Sequence, residues 1–272
     1  MTENIIGSYI TEITIENLTF DFFINDEYGD TWYGKRRETT HPELAFVRDK
    51  MLKADDIVFD IGAQHIFHSI AYSHWIGCKG FVYAFEANPK NILVAKKNIE
   101  INTLNNIKII NRVIGAERKE VRISNETNAR VLPGNFKTWI KKVFKQDRKD
   151  QIKVKMVPLD TYRKLAPTFL KIDVEGYEAE VLKGAKEILA SQPKLAIEMH
   201  SQGNIYSDYN TSIEEILGLI DTSRYNCWIQ FDRKNAPEPY EQKMIKKAKE
   251  LNHIFHFYAL PKARGSTSYP NK

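Results

Sequence analysis

The amino-acid sequence predicts an α/β protein built on a mostly parallel sheet, and three observations carry that prediction. From about residue 41 onward, short continuous apolar runs alternate with helical segments, the pattern of parallel strands covered on both faces. A chain of 272 residues with 42% apolar content can bury one large core. The amino-terminal stretch reads differently, because ITEITIENLTFDFFI alternates apolar and polar residues as strands of a small antiparallel cap do. The expected organisation is therefore a β-rich cap over residues 1–40, an α/β domain over 41–262 and a loose tail over 263–272.

The elements follow in order. DDIVFDIG reads as a strand, FHSIAYSHWIG as a helix, GFVYAFEA as a strand and PKNILVAKKNIEIN as a helix whose cap is Asn88 and whose first residue is Pro89. IKIINRVIG reads as one continuous strand. An insertion at about 125–152 interrupts the rhythm, and its Phe136, Trp139, Ile140, Val143 and Phe144 fall on one face of a basic amphipathic helix. KVKMVPLDTY and the strand FLKIDVEG come next, then YEAEVLKGAKEILA as one helix and KLAIEMHS as a strand. TSIEEILGLIDTS is a helix, NCWIQFD a strand, 240–251 a polar helix and HIFHFYALP the last strand. No internal repeat or low-complexity linker interrupts the series.

A formal charge of +5 favours anionic partners only weakly and falls short of the balance of dedicated nucleic-acid binders. Two cysteines, Cys78 and Cys227, lack metal-ligand spacing and point to a reducing compartment. The amino terminus has no secretory pattern and no segment reaches the length of a membrane span, so a soluble, cytoplasmic protein is expected.

In an open parallel sheet, ligands bind beyond the carboxyl ends of the strands. The strands present Asp60, Gly62 and Ala63, then Glu86, then Asp173 and Glu175, then Glu198 and His200 at that edge. Single strand-end acids often cap the following helix, but so many acceptors at one edge suit ribose hydroxyls and a cationic group. Glu86 follows Gly62 at the separation where an acid meets an adenosine-type ribose. A dinucleotide site needs GxGxxG, and only Gly62 is present, which excludes NAD and FAD and leaves S-adenosylmethionine, whose site needs one close backbone approach and these acids.

With those residues in hand, the chain resembles the FkbM-type methyltransferases over roughly residues 55–220. The resemblance rests on VFDIGA with FHSI, VYAFEANPKN with KKNIEIN, NRVIGA, PLDTY, and most distinctively FLKIDVEGYEAEVLKGA followed by LAIEMHS. It implies a Rossmann-like class I methyltransferase fold with an antiparallel last strand, and methyl transfer from S-adenosyl-L-methionine, typically to a hydroxyl of a small-molecule or sugar-containing acceptor. Asp60, Gly62, Ala63 and Glu86 would then bind the cofactor, with Asp173 and Glu175 at the floor of the active site. Glu175 or His200 would take the acceptor's proton, with Asp173 facing the methionine amino group or the acceptor.

One departure stands out. Members of the family usually read DIGAN, an apolar residue and then glycine before FHS, where this chain has Gln64, His65 and Ile66. A β-branched residue takes positive φ only with strain, and its side chain could fill space near the methionine moiety. His65 and His68 are a weak metal signal, so no metal site is expected there, and charge alone leaves a magnesium ion at Asp173 open. Two competing readings stay open: an RNA methyltransferase, against which the modest charge argues, and a degenerate domain without activity, which Ile66 motivates. The acceptor and the oligomeric state are not encoded in a readable way.

Overall fold

The computed structural model describes residues 7–34, 41–132, 151–201 and 205–263. The basic helix expected at 135–150 and most of the expected tail lie outside the described residues.

The cap is a hairpin of β1 (Tyr9–Ile15) and β2 (Leu18–Ile24), paired antiparallel from Tyr9 with Ile24 to Ile15 with Leu18. Its alternation is resolved as the sequence implies, with Ile13, Ile15, Phe20, Phe22 and Ile24 buried beneath one face. The hairpin is bolted to the helix Pro89–Ile101 by Asn98, whose Oδ1 accepts the Phe23 N–H at 2.7 Å while its Nδ2 donates to the His65 carbonyl at 3.1 Å. One buried asparagine thus ties the cap to the loop behind Gly62.

The main sheet is built from β3 (Ile57–Ile61), β4 (Phe81–Glu86), β5 (Ile107–Asn111), β9 (Phe169–Ile172), β10 (Lys194–His200), β11 (Tyr225–Gln230), β12 (Glu238–Pro239) and β13 (Ile254–Pro261). Its order is β12-β11-β13-β10-β9-β3-β4-β5. The five strands β5, β4, β3, β9 and β10 are parallel, and β13 enters antiparallel between β10 and β11. The expected mostly parallel sheet with an antiparallel last strand is what the chain forms. Order reverses between β3 and β9, so the ligand crevice of such a sheet falls beyond Ile61 and Ile172. β9 and β10 are buried throughout, which is why their sequences are mainly apolar without alternation and why their Lys171, Lys194, Glu198 and His200 are each paired with opposite charges.

A second sheet of three strands, β6 (Val113–Ile114), β7 (Lys119–Ser124) and β8 (Gln151–Val157), stands beside the carboxyl edge. Two expectations are corrected here. IKIINRVIG is not one strand, because the chain leaves the main sheet at Arg112 and joins β8 with Val113 and Ile114. YEAEVLKGAKEILA is not one helix either: it divides into Glu178–Lys183 and Lys186–Ala190. At the break, a side chain on Gly184 would meet the Gly115 carbonyl at 2.0 Å, and Asp160 of PLDTY accepts the Glu187 and Ile188 N–H groups at 3.0 Å to start the second helix. Asn88 caps Pro89–Ile101 as expected, accepting the Lys90 N–H at 2.9 Å. No helix among the described residues is long and apolar enough to cross a membrane.

Candidate active site

Two adjoining clefts open at the carboxyl edge of β3, β4, β9 and β10. The first lies between Gly62, Glu86, the apolar side chains Val113, Ile123 and Val131, and the segment Thr127–Ala129. The second is lined by Tyr28, Trp32 and Tyr33 together with Glu43, Glu198 and Arg233. Gly62, Gln64, Asn128, Asp173 and Glu175 line both. The boundary between the clefts is therefore where a molecule in one meets a molecule in the other.

The loop at that boundary is a run of left-handed backbone. Gly62, Gln64 and Ile66 have φ of 84°, 50° and 66°, and Glu175 and Gly176 facing them have 54° and 100°. Strain of this density in non-glycine residues is characteristic of functional loops. At Gly62 the requirement is absolute, since a Cβ would sit 1.7 Å from the Asp173 carbonyl. Ile66 does adopt the positive φ that its chemistry disfavours, but its side chain is fully buried among the cap and helix residues Phe22, Phe67 and Ile70 and lines neither cleft. Ile66 thus takes no space from either cleft.

Of the cofactor residues expected from sequence, Gly62, Ala63 and Glu86 reach the clefts, with Ala63 in the second. Glu86 accepts N–H groups of Gln64 at 2.8 Å and Asn88 at 2.7 Å, and the Asn91 amide at 3.2 Å. A carboxylate offers about four lone-pair sites, and these donors take most of them, while Glu86 itself lines the first cleft. Burial outweighs those hydrogen bonds and pushes the Glu86 carboxyl up to about 7. Asp60 behaves differently. It is wholly buried and lines neither cleft; it accepts from Ser69 Oγ at 2.6 Å and faces Lys171 Nζ at 3.5 Å. The register that pairs Asp60 with Lys171 across β3 and β9 sets up this contact.

Asp173, Glu175 and His200 converge. His200, 1% exposed, points Nδ1 at Glu178 Oε1 at 2.7 Å and Nε2 toward Asp173 Oδ1 at 3.6 Å and Glu175 Oε1 at 3.7 Å. Burial alone would depress the imidazole, yet the Glu178 hydrogen bond and the charges of Glu178, Glu198 and Asp173 lift it to about 10. Burial raises the Glu175 carboxyl against the opposing pull of His200. Among the described residues, Asp173, Glu175 and His200 form the one group whose donor atoms, all within 4.8 Å of one another, could hold a metal ion. His65 is buried apart from His68, against Asp26 at 3.9 Å from its Nε2, while His68 faces the second cleft.

Sequence reasoning missed several participants. Lys171 holds Asp173 Oδ2 at 2.9 Å; Arg130 holds Glu175 Oε2 at 3.3 Å, and Asn128 donates to Glu175 Oε1. Arg233 follows β11 to the same edge, where it bonds Glu198 at 2.8 Å and lies against the Trp32 ring at 5.3 Å. A lysine inside FLKID was a readable signal, because a buried strand tolerates one only beside a carboxylate. The strand-end acids do not cap helices: the caps of Phe67–Ile76 and Glu178–Lys183 are Ile66 and Tyr177, neither with a side-chain hydrogen bond.

A seven-strand core of parallel strands closed by an inserted antiparallel one, with paired clefts at its carboxyl edge, defines a Rossmann-like fold of the class I methyltransferase type. The family described as "Methyltransferase FkbM domain" matches residues 60–226, and the chain belongs to that family. Among solved structures it is similar to an FkbM methyltransferase of Methylobacillus flagellatus KT, at 18% identity and a TM-score of 0.47 over 80% of this chain and 48% of that one. This chain thus spans about half the length of that relative. It is also similar to an S-adenosylmethionine-dependent O-methyltransferase of Thermotoga maritima (11% identity, TM-score 0.45, 94% and 79% of the two chains). A third likeness is to Aeropyrum pernix fibrillarin in complex with S-adenosyl-L-methionine (14% identity, TM-score 0.41, 76% and 67%). No curated protein matches the sequence.

Proposed function

We propose that the chain transfers a methyl group from S-adenosyl-L-methionine to a hydroxyl of a small-molecule or sugar-containing acceptor. The observation that carries the reading is the pair of clefts meeting at Gly62, Gln64, Asn128, Asp173 and Glu175, one lined by Glu86 and apolar side chains and the other by aromatic and charged ones. The residues fit the cofactor. Glu86 lines the first cleft at the end of β4, where a ribose hydroxyl would meet it, the cleft around Val113, Ile123 and Val131 is apolar where an adenine ring would lie, and Gly62 keeps the loop flush against β9. Asp60 supports this site from beneath through Ser69 and Lys171.

S-adenosylmethionine supplies an electrophilic methyl group on a sulfonium centre. In the transfer, the S–CH₃ bond breaks as the O–CH₃ bond forms, the sulfur keeps the electron pair as a neutral thioether, and the hydroxyl proton passes to Glu175. Glu175 is placed for that work by Arg130 and Asn128, while Asp173 and Glu43 line the second cleft as acceptors for further hydroxyls and Tyr28 adds an aromatic ring to its wall. A degenerate domain loses its motive, because Ile66 fills core and not cleft.

Calorimetric titration with S-adenosylmethionine and its demethylated product tests the first half; micromolar binding that disappears in Glu86→Ala is expected. Incubation with labelled methyl donor and a cell extract tests the second half. Label on a hydroxyl compound, absent with Glu175→Gln, supports the reading; binding that is silent at millimolar concentration sinks it.

A further inference from the structure

The boundary of the two clefts holds a donor set that methyl transfer by itself does not require. Asp173 gives one carboxylate oxygen to Lys171 and turns the other, Oδ1, to His200. Glu175 gives Oε2 to Arg130, and its Oε1, which accepts from Asn128, keeps a second lone pair and lies 3.7 Å from the His200 Nε2. His200 Nε2 completes the triangle, and at 3.6 and 3.7 Å from those oxygens it makes no hydrogen bond to either. Such separations are too long for a shared proton but match two ligands on one ion, since bonds of about 2.1 Å meeting at 110–120° place donors roughly 3.4–3.6 Å apart.

Two independent features of the surroundings point the same way. His200 is 1% exposed, and its Nδ1 is fixed on Glu178, itself fully buried and steadied by the Gly176 N–H at 3.0 Å. A carboxylate behind the far nitrogen is the arrangement that aims a histidine at a metal and selects the ligating tautomer. Charge is also out of balance. The connected carboxylates Glu43, Asp60, Asp173, Glu175, Glu178 and Glu198 face the fixed cations Lys171, Arg130 and Arg233, so negative charge exceeds fixed positive charge before any histidine is counted.

We propose that Asp173, Glu175 and His200 bind a divalent first-row cation, Mn²⁺ or Zn²⁺, whose remaining positions face the second cleft and take the acceptor's oxygen. One imidazole with two carboxylates suits these ions, whereas Mg²⁺ prefers oxygen ligands alone and dehydrates reluctantly. Resting on the methyl-transfer reading, the proposal replaces Glu175 as proton acceptor in it: the ion would lower the pKa of the bound hydroxyl, Glu175 and His200 would serve as ligands, and the proton would leave to solvent as the O–CH₃ bond forms. An acceptor with two adjacent oxygens, a vicinal diol or a 2-hydroxy acid, would chelate it best.

The test is direct titration of the full chain, stripped with EDTA, with Mn²⁺ followed by electron paramagnetic resonance and with Zn²⁺ followed by calorimetry. A single site with Kd below about 50 µM is expected, weakened at least about 10-fold in Asp173→Asn and His200→Ala and also weakened in Glu178→Gln. Binding should raise the melting temperature of the parent chain and of no variant that has lost the site. Should either of the first two variants fail to melt cooperatively, Glu175→Gln replaces it. Absence of binding at about 1 mM of either ion, or equal affinity in folded variants, overturns the proposal. Titration with S-adenosylmethionine in EDTA separates the two readings: cofactor binding without metal binding rejects the ion alone, and loss of cofactor binding rejects the underlying function.

Discussion

Replacing Ile66 by glycine pits two opposed terms against each other at the residue where this chain departs from the family pattern. The isoleucine is fully buried between the cap hairpin and the helix Phe67–Ile76, and deleting such a side chain costs about 2–5 kcal/mol. Glycine adds roughly 0.5–1 kcal/mol of unfolded-state freedom. Against this, a φ of 66° strains isoleucine by about 1–2 kcal/mol, which glycine releases. Packing wins, and Ile66→Gly is expected to lose about 3 kcal/mol, a fall of roughly 6–12 °C in melting temperature if unfolding is two-state. Ile66→Ala isolates the backbone term, because alanine keeps the left-handed penalty without the packing; it should be less stable than the glycine variant by about 1 kcal/mol. Affinity for S-adenosylmethionine should change less than about 3-fold in either variant, since the side chain lines neither cleft. Denaturant titration and calorimetry read both quantities. A glycine variant more stable than the parent, an alanine variant more stable than the glycine one, or a tenfold gain in affinity would refute the reasoning.

Other expectations follow from the same geometry. Glu86, held up to about 7 by burial, must ionise to accept a ribose hydroxyl, so cofactor affinity should climb as pH rises through 7 and level off above it; calorimetry from pH 6 to 8.5 would read the midpoint. The sign for stability is opposite: the folded state holds the Glu86 proton more tightly than the unfolded chain, so stability falls between about 4.5 and 7 by about 3 kcal/mol, and Glu86→Gln should flatten that slope relative to the parent. Gly62→Ala forces a methyl group against the Asp173 carbonyl and should cost at least about 3 kcal/mol in urea unfolding, with cofactor binding lost as β3 and β9 part. Lys194, buried against Asp56 at the far end of the sheet, serves as a control: Lys194→Met should destabilise by about 3–5 kcal/mol while leaving cofactor affinity unchanged.

How much of this was legible depended on whether the cause was local. β9 and β10 announce themselves because both faces are covered, and the hairpin because only one is. Asn88 and Pro89 mark their helix start through backbone chemistry confined to three residues. The break at Arg112 and the split at Gly184 were not legible, since each is decided by a partner distant in sequence: β8 in one case, the Gly115 carbonyl in the other. The same holds at the site. Gly62 and Glu86 could be placed at the cleft from strand ends alone, whereas nothing in VFDIGA shows that Lys171 sits opposite Asp60. Arg130 and Arg233 arrive from a loop and an outer strand that no pattern of periodicity connects to Asp173 and Glu175.

The placing of β13 has a consequence for how the chain is made. During translation β10 and β11 emerge with no strand between them, and each exposes an unpaired backbone edge until residues 254–261 leave the ribosome. The nascent chain therefore carries an open seam through its middle, and the half-sheet bearing His200 closes only after synthesis has passed it. Truncations ahead of Ile254 should yield aggregation-prone fragments and not smaller enzymes, with chaperone demand concentrated at that late step.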